Sequence, residues 1–204
     1  MTITPIAPDE IADAVRIFLD AFAENVRLVY GDPPRPDAMH DVWSFVRSRE
    51  PGGFLAAREG GGLAGYAIIT SSVRKLQRSA LTHGAVLAWV VRALSGRYGI
   101  AWRNVGRVMW NKLLFVGSAR RFRTEGDAQL LNIAVAREQR GIGIAKALTR
   151  AGLDYLATRG VREVRLEVRP DNAAAIAAYR ANGFVERGKT RDAGGEWLVM
   201  TAQP

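Results

Sequence analysis

Residues 129–148 read QLLNIAVAREQRGIGIAKAL. Gln129–Ala136 is a short apolar run of strand length, and Gly143–Thr158 carries Leu148, Leu153 and Leu156 at helical spacing. Between them stand Arg140, Gly141, Ile142, Gly143, Ile144 and Ala145. The N–H groups that open a helix have no partner within it, and they point the same way as the positive end of its dipole. Glycine lets an anion reach them without meeting a Cβ, and Arg140 adds charge. Such a stretch suits a pyrophosphate. A tight turn with two glycines for packing is the alternative. The stretch contains neither the Gly-Lys-Ser/Thr ending of a P-loop nor the Gly-x-Gly-x-x-Gly dinucleotide fingerprint.

Working outward, Val161–Val168 alternates charged residues with Val164, Leu166 and Val168, as a strand does. Asn172–Asn182 reads as a helix closed by Gly183. Phe184–Glu186 and Trp197–Thr201 are the last strands. Strand–helix–strand connections of this length imply parallel pairing and an α/β sheet. Upstream, Ile3–Ala7 is a strand. Asp9 opens a helix running to about Glu24, and Asp37 opens another to about Arg49. Phe54–Arg58 and Leu63–Ser71, joined by EGGG at 59–62, form a hairpin.

The chain has 204 residues, 48% apolar and 24% charged, which suits one domain with a substantial core. It has no cysteine, which excludes disulfides, a thiol nucleophile and cysteine metal sites. Its two histidines, His40 and His83, are far apart, so no histidine metal site or Ser/His triad is expected. The start, MTITPIAPDEIADAV, lacks the basic residues and apolar run of a signal segment, and the cytoplasm is the expected compartment. The net charge of +9 is unevenly spread: residues 60–124 hold eleven Lys/Arg and no Asp or Glu. Residues 75–124 read as a basic helical insertion. Within it Leu81–Leu94 is apolar, and Ala101–Phe115 places Trp102, Val105, Met109 and Leu113 on one face.

Arg140-x-x-Gly143-x-Ala145 fits the R/Q-x-x-G-x-G/A signature of the GNAT superfamily of acetyl-CoA-dependent N-acetyltransferases. Together with VREVRLEVRPDNAAAIAAYRANGF (161–184), the stretch resembles the RimI-type ribosomal-protein alanine acetyltransferases. The resemblance covers about 128–187, holds only by order of elements over 1–71, and fails over 75–124. It implies a mixed, centrally splayed sheet flanked by helices, as a single acyltransferase domain over 1–204. It implies acetyl-CoA as co-substrate and no metal. The CoA pyrophosphate would lie on the amides of Arg140–Ala145, and the backbone of Ile133, Ala134 and Val135 would pair with the pantetheine arm. Asn172 would contact CoA; capping the following helix is its other reading. Tyr179 would protonate the leaving thiolate, or else be a buried aromatic sharing a face with Ile176. Glu167 would be the general base, or else belong to a solvent-facing charge row with Glu163 and Arg165. Arg169 would orient a substrate or pair with Glu167.

Transfer would then be direct, in a ternary complex, to a primary amine: a protein N-terminus or a small molecule. The basic segment favours an anionic partner, and its Trp89, Trp102 and Trp110 make interfacial membrane contact one use. A helical subdomain that buries its Trp/Leu face is the plainer one. A non-catalytic module that binds nucleic acid or a membrane surface on the same scaffold is the second functional reading. Homodimerisation stays open.

Overall fold

The computed structural model describes residues 1–30, 36–99, 126–192 and 195–204. Seven strands form one sheet: β1 (Thr2–Pro5), β2 (Phe54–Glu59), β3 (Gly62–Thr70), β4 (Ala128–Val135), β5 (Val164–Val168), β6 (Val185–Asp192) and β7 (Gly195–Ala202). Their order is β1-β2-β3-β4-β5-β7-β6. All neighbours are antiparallel except β4 and β5. The helices are α1 (Ile11–Ala21), α2 (Ala23–Tyr30), α3 (Pro36–Arg49), α4 (Val73–Thr82), α5 (Ala85–Leu94), α6 (Ile144–Thr158) and α7 (Ala173–Arg180).

Both faces of the central strands are apolar because helices cover both. On one face α1 and α3 bury Ile11, Val15 and Trp43 against Phe54, Tyr66 and Ile68. Trp43 sits 4.9 Å from Tyr66 and 5.8 Å from Phe54, ring centre to ring centre. On the other face α6 and α7 bury Leu148, Leu156 and Ile176 against Ile69, Leu130, Leu166 and Met200. Gly152 makes the α6 packing possible: a Cβ there would stand 2.3 Å from Ile69 Cδ1.

The expected helix to Glu24 divides at Phe22, whose φ of −118° leaves helical space. Asp9 does not cap it. A 3-10 turn precedes α1, and Glu10 accepts from the Ala7 amide at 2.7 Å. The last two strands are longer than their apolar residues suggest. β6 is an edge strand of mostly charged residues, VERGKTRD, which carries no apolar alternation to read. Of the expected insertion, α4 and α5 lie among the described residues. The helix expected over Ala101–Phe115, with Trp102 and Trp110, lies outside them.

Candidate functional site

β4 and β5 pair only at Ala128↔Val164 and Gln129↔Arg165. Beyond that point β4 continues for six residues with no strand on its β5 side among the described residues. On its other side it stays paired with β3, through a bulge where Ile68 faces Asn132 and Ile69 faces Leu130. The splay follows, a V-shaped opening in the middle of the sheet.

Which groups line the opening follows from the ladder. The Ala136 amide donates to Ala64 at 2.8 Å, and opposed residues in an antiparallel pair alternate between bonded and non-bonded. The N–H and C=O of Ala134 therefore face β3, and those of Ile133 and Val135 face the opening. Arg140 Nε donates to the Val135 carbonyl at 3.2 Å, and among the described residues the Val135 amide and both groups of Ile133 stay available.

At the wide end of the V lies the glycine loop. Gly141 and Gly143 have φ of 87° and 90°, left-handed backbone that only glycine adopts without strain. A Cβ on either would meet nothing within 4 Å. The loop is shaped by φ, and space stands open above it. Gly143 is the N-cap of α6, and its carbonyl accepts from Ala147. Among the described residues, none accepts from the amides of residues 141–146. Ile142 points outward, 65% exposed, while the Ile144 side chain is buried and offers only backbone. A groove of about 630 Å³ adjoins the loop, lined by Gly143, by Lys146, Ala147 and Arg150 of α6, by Ala181–Gly183 and by Gln203. A diphosphate-bearing ligand fits this donor set: unpartnered amides, a helix N-terminus, open glycines and two flanking cations.

Asn172 is the N-cap of α7, and its Oδ1 accepts from the Ala175 amide at 3.1 Å. Capping occupies its oxygen and leaves Nδ2 as a donor. Tyr179 is buried on the α6–α7 face, its ring 5.7 Å from Phe184. Its hydroxyl has no hydrogen-bond partner among the described residues. Burial raises the phenol above its ordinary value and keeps it protonated.

Glu167 and Arg165 do not stand in a solvent-facing row. Both side chains are largely covered, at 5% and 12% exposure, and they form an ion pair. They lie on the sheet face opposite Leu166 and Val168, the side of α1 and α3. The Arg169 guanidinium lies 3.9 Å from the Trp197 ring centre, and its Nη1 donates to the Glu196 carbonyl.

Asn132 escaped the sequence reading. It accepts from the hydroxyl of buried Tyr66 on the α1–α3 side of β4. A lone amide inside an aliphatic strand was the available signal. Lys146 and Arg150, four residues apart on α6, were legible as neighbours on one helix face. Among the described residues, no group of three or more His, Cys, Asp or Glu is placed to hold a metal ion. No helix among them is long and apolar enough to cross a membrane.

Comparison with known proteins agrees with this geometry. A mycothiol acetyltransferase of Amycolatopsis mediterranei is 45% identical over 64 residues, 31% of this chain and 21% of that protein. N-alpha-acetyltransferase 30 of Schizosaccharomyces pombe is 46% identical over 52 residues, 26% of this chain and 35% of that protein. The matched parts thus span a fifth to a third of these relatives. The ribosomal-protein-alanine N-acetyltransferase structure from Brucella melitensis covers the whole of both chains, with a TM-score of 0.63 at 19% identity, and shares the fold. Residues 15–184 match the profile of the acetyltransferase (GNAT) family. A splayed central sheet with a glycine-opened helix beside it is what that match leads one to look for, and on this ground the chain belongs to the GNAT family of acetyltransferases.

Proposed function

We propose that this protein transfers an acetyl group from acetyl-CoA to a primary amine, by direct attack in a ternary complex. The observation that carries the reading is the β4–β5 splay, with the amides of Ile133 and Val135 turned into it and an uncrowded glycine loop at its wide end. The amides of 141–146 would hold the pyrophosphate, with Lys146 and Arg150 alongside. Asn172 Nδ2 would donate to the pantetheine arm. Acetyl-CoA supplies an activated thioester carbonyl.

The chain's own groups have three tasks. A β4 amide donates to the carbonyl oxygen as negative charge gathers there. Glu167, directly or through water, removes a proton from the ammonium so that a free amine attacks. Tyr179 gives its proton to the departing thiolate. One C–N bond forms and one C–S bond breaks; two protons leave the nitrogen, the first to Glu167 before attack and the second as the amide forms, and the second restores the proton that Tyr179 gives to sulfur, so that one proton is released overall. We take the chain as a single acyltransferase unit, with residues 75–124 as an insertion beside the acceptor. A cysteine-free chain fits a cytoplasmic setting.

The acceptor is either a protein N-terminus or a small amine; the two relatives named above carry one name of each kind. The test is an acceptor screen with acetyl-CoA that reads thiol release, run beside calorimetry. Acetyl-CoA binding together with turnover on an amine supports the reading. The pH limb then sorts acceptors: an α-amine gives a rise centred near 8, an alkyl amine one near 10. Absence of acetyl-CoA binding would sink the proposal and favour a non-catalytic module.

A further inference from the structure

α5 reads AVLAWVVRAL, with Arg92 its single charge. One side is fastened to α3. Trp89 meets Phe45 edge-on at 5.4 Å, and Arg92 pairs with Asp41 at 2.6 Å. Tyr98, just beyond, donates to the same carboxylate at 2.7 Å. The other side has no partner among the described residues. Leu87, Val90, Val91 and Leu94 follow the i, i+3, i+4, i+7 pattern of one helix stripe, and they are 69%, 47%, 56% and 54% exposed. Leu81, at the end of α4, is 68% exposed. Five of the nine large exposed apolar side chains among the described residues therefore lie on this one element pair. A helix apolar all round is expected to be covered all round, and a contiguous exposed patch marks a contact surface.

The surrounding charge indicates what covers it. Lys75 and Arg78 on α4 are exposed and have no ion pair among the described residues. The whole stretch 60–124 carries no acid. Cations next to bare aliphatic side chains complement a surface that is anionic outside and hydrocarbon beneath. Nucleic acid would use the cations but not the Leu/Val stripe, and Trp89, the aromatic of α5, is packed on Phe45 and not free to stack on a base. A second copy would bring two acid-free basic segments together.

We propose that the exposed stripe of α5, with Leu81 and the flanking Lys75 and Arg78, seats this protein on an anionic lipid bilayer, lying in the headgroup plane. A ten-residue helix is too short to span the hydrocarbon and long enough to rest on it.

The test is co-sedimentation of the full chain with vesicles of phosphatidylcholine alone and of equimolar phosphatidylcholine and phosphatidylglycerol. Binding to the anionic vesicles and not to the neutral ones is expected. Leu87→Ser with Val91→Ser should weaken it by roughly tenfold or more, with the melting temperature unchanged. Lys75→Glu with Arg78→Glu should weaken it by roughly fivefold for each cation lost. The proposal is overturned by no binding to either vesicle, or by binding indifferent to these substitutions. A sedimenting dimer that Leu87→Ser dissolves would assign the stripe to a second copy instead. A melting temperature lowered by Leu87→Ser would mean that the chain itself covers the stripe.

Discussion

Gly143→Ala separates what the glycine loop does for the fold from what it does for a ligand. Gly143 sits at φ 90°, ψ 6°, and a Cβ built there meets no atom within 4 Å. The substitution therefore strains the backbone without a clash, which costs about 1–2 kcal/mol of stability. Gly61, in the β2–β3 turn, is a matched control: φ is 82°, and a Cβ there also meets nothing within 4 Å. Urea unfolding should give the two variants the same loss. Binding should tell them apart. At Gly143 a methyl group enters the space in front of amides 144–146. Losing one charge-assisted hydrogen bond to the pyrophosphate removes about 1.5–3 kcal/mol, roughly ten- to a hundredfold in Kd. Calorimetry with acetyl-CoA should show that loss for Gly143→Ala and none for Gly61→Ala. Equal affinity for wild type and Gly143→Ala would refute the cradle. So would an equal weakening by both, since strain alone would then explain it.

Tyr179→Phe should fold as stably as wild type, because the hydroxyl has no partner among the described residues and the ring keeps its contact with Phe184. Its kcat should fall by roughly 10²–10⁴ with acetyl-CoA affinity unchanged, read from thiol release; an unchanged kcat removes the acid role. Glu50→Ala should destabilise by about 2–4 kcal/mol without altering the acetyl-CoA site. The buried carboxylate accepts from the Ser71 amide at 2.7 Å and from the hydroxyls of Thr70 and Tyr155, and it ties α6 to the end of β3. Glu10 is held below its ordinary carboxylate value, chiefly by its hydrogen bond from Arg58. Because the folded value is the lower one, its contribution is complete above the unfolded value near 4.3 and fades as pH falls through the folded value. Glu10→Gln should thus lose more stability relative to wild type at pH 7 than at pH 3, measured by urea midpoints.

The C-terminal half was legible because three local signals agree there: an apolar strand, glycines at a helix entrance, and helix-spaced Leu148, Leu153 and Leu156. The splay was not legible from residue pattern, since nothing in QLLNIAVA marks where pairing with β5 stops. It came from the family resemblance. Periodicity also could not assign Ala134 to the β3 side, because that depends on ladder register rather than side-chain character. The charge row of β5 misleads for a related reason. Alternation separates the two faces of a strand, but it cannot say whether the polar face is wet, and Arg165 and Glu167 cover each other. Edge strand β6 was under-read because its charges, suited to an edge, resemble a loop.

The sheet also keeps the two proton-handling groups of the proposed reaction apart. Tyr179 belongs to the core between the sheet and α6–α7, together with Leu166, Leu198 and Met200. Glu167 alternates with Leu166, and so it faces the α1–α3 side, opposite Val199 of β7. An intact sheet would put a layer of backbone between these faces. The splay removes that layer where β4 leaves β5, so a thioester lying in the gap could be approached by an amine from one face while its sulfur met a phenol from the other. The phenol, raised by burial, keeps its proton near neutral pH and is the donor of the pair, while Glu167 is ion-paired to Arg165. Under this arrangement Glu167→Gln should depress turnover most at low pH, where the acceptor arrives as an ammonium, and recover as pH rises toward the pKa of the amine. Tyr179→Phe should depress it evenly across that range, because the wild-type phenol stays protonated throughout. An even loss across pH for Glu167→Gln would remove it from the base role, and a loss for Tyr179→Phe that vanished at either end of the range would remove the phenol from the acid role.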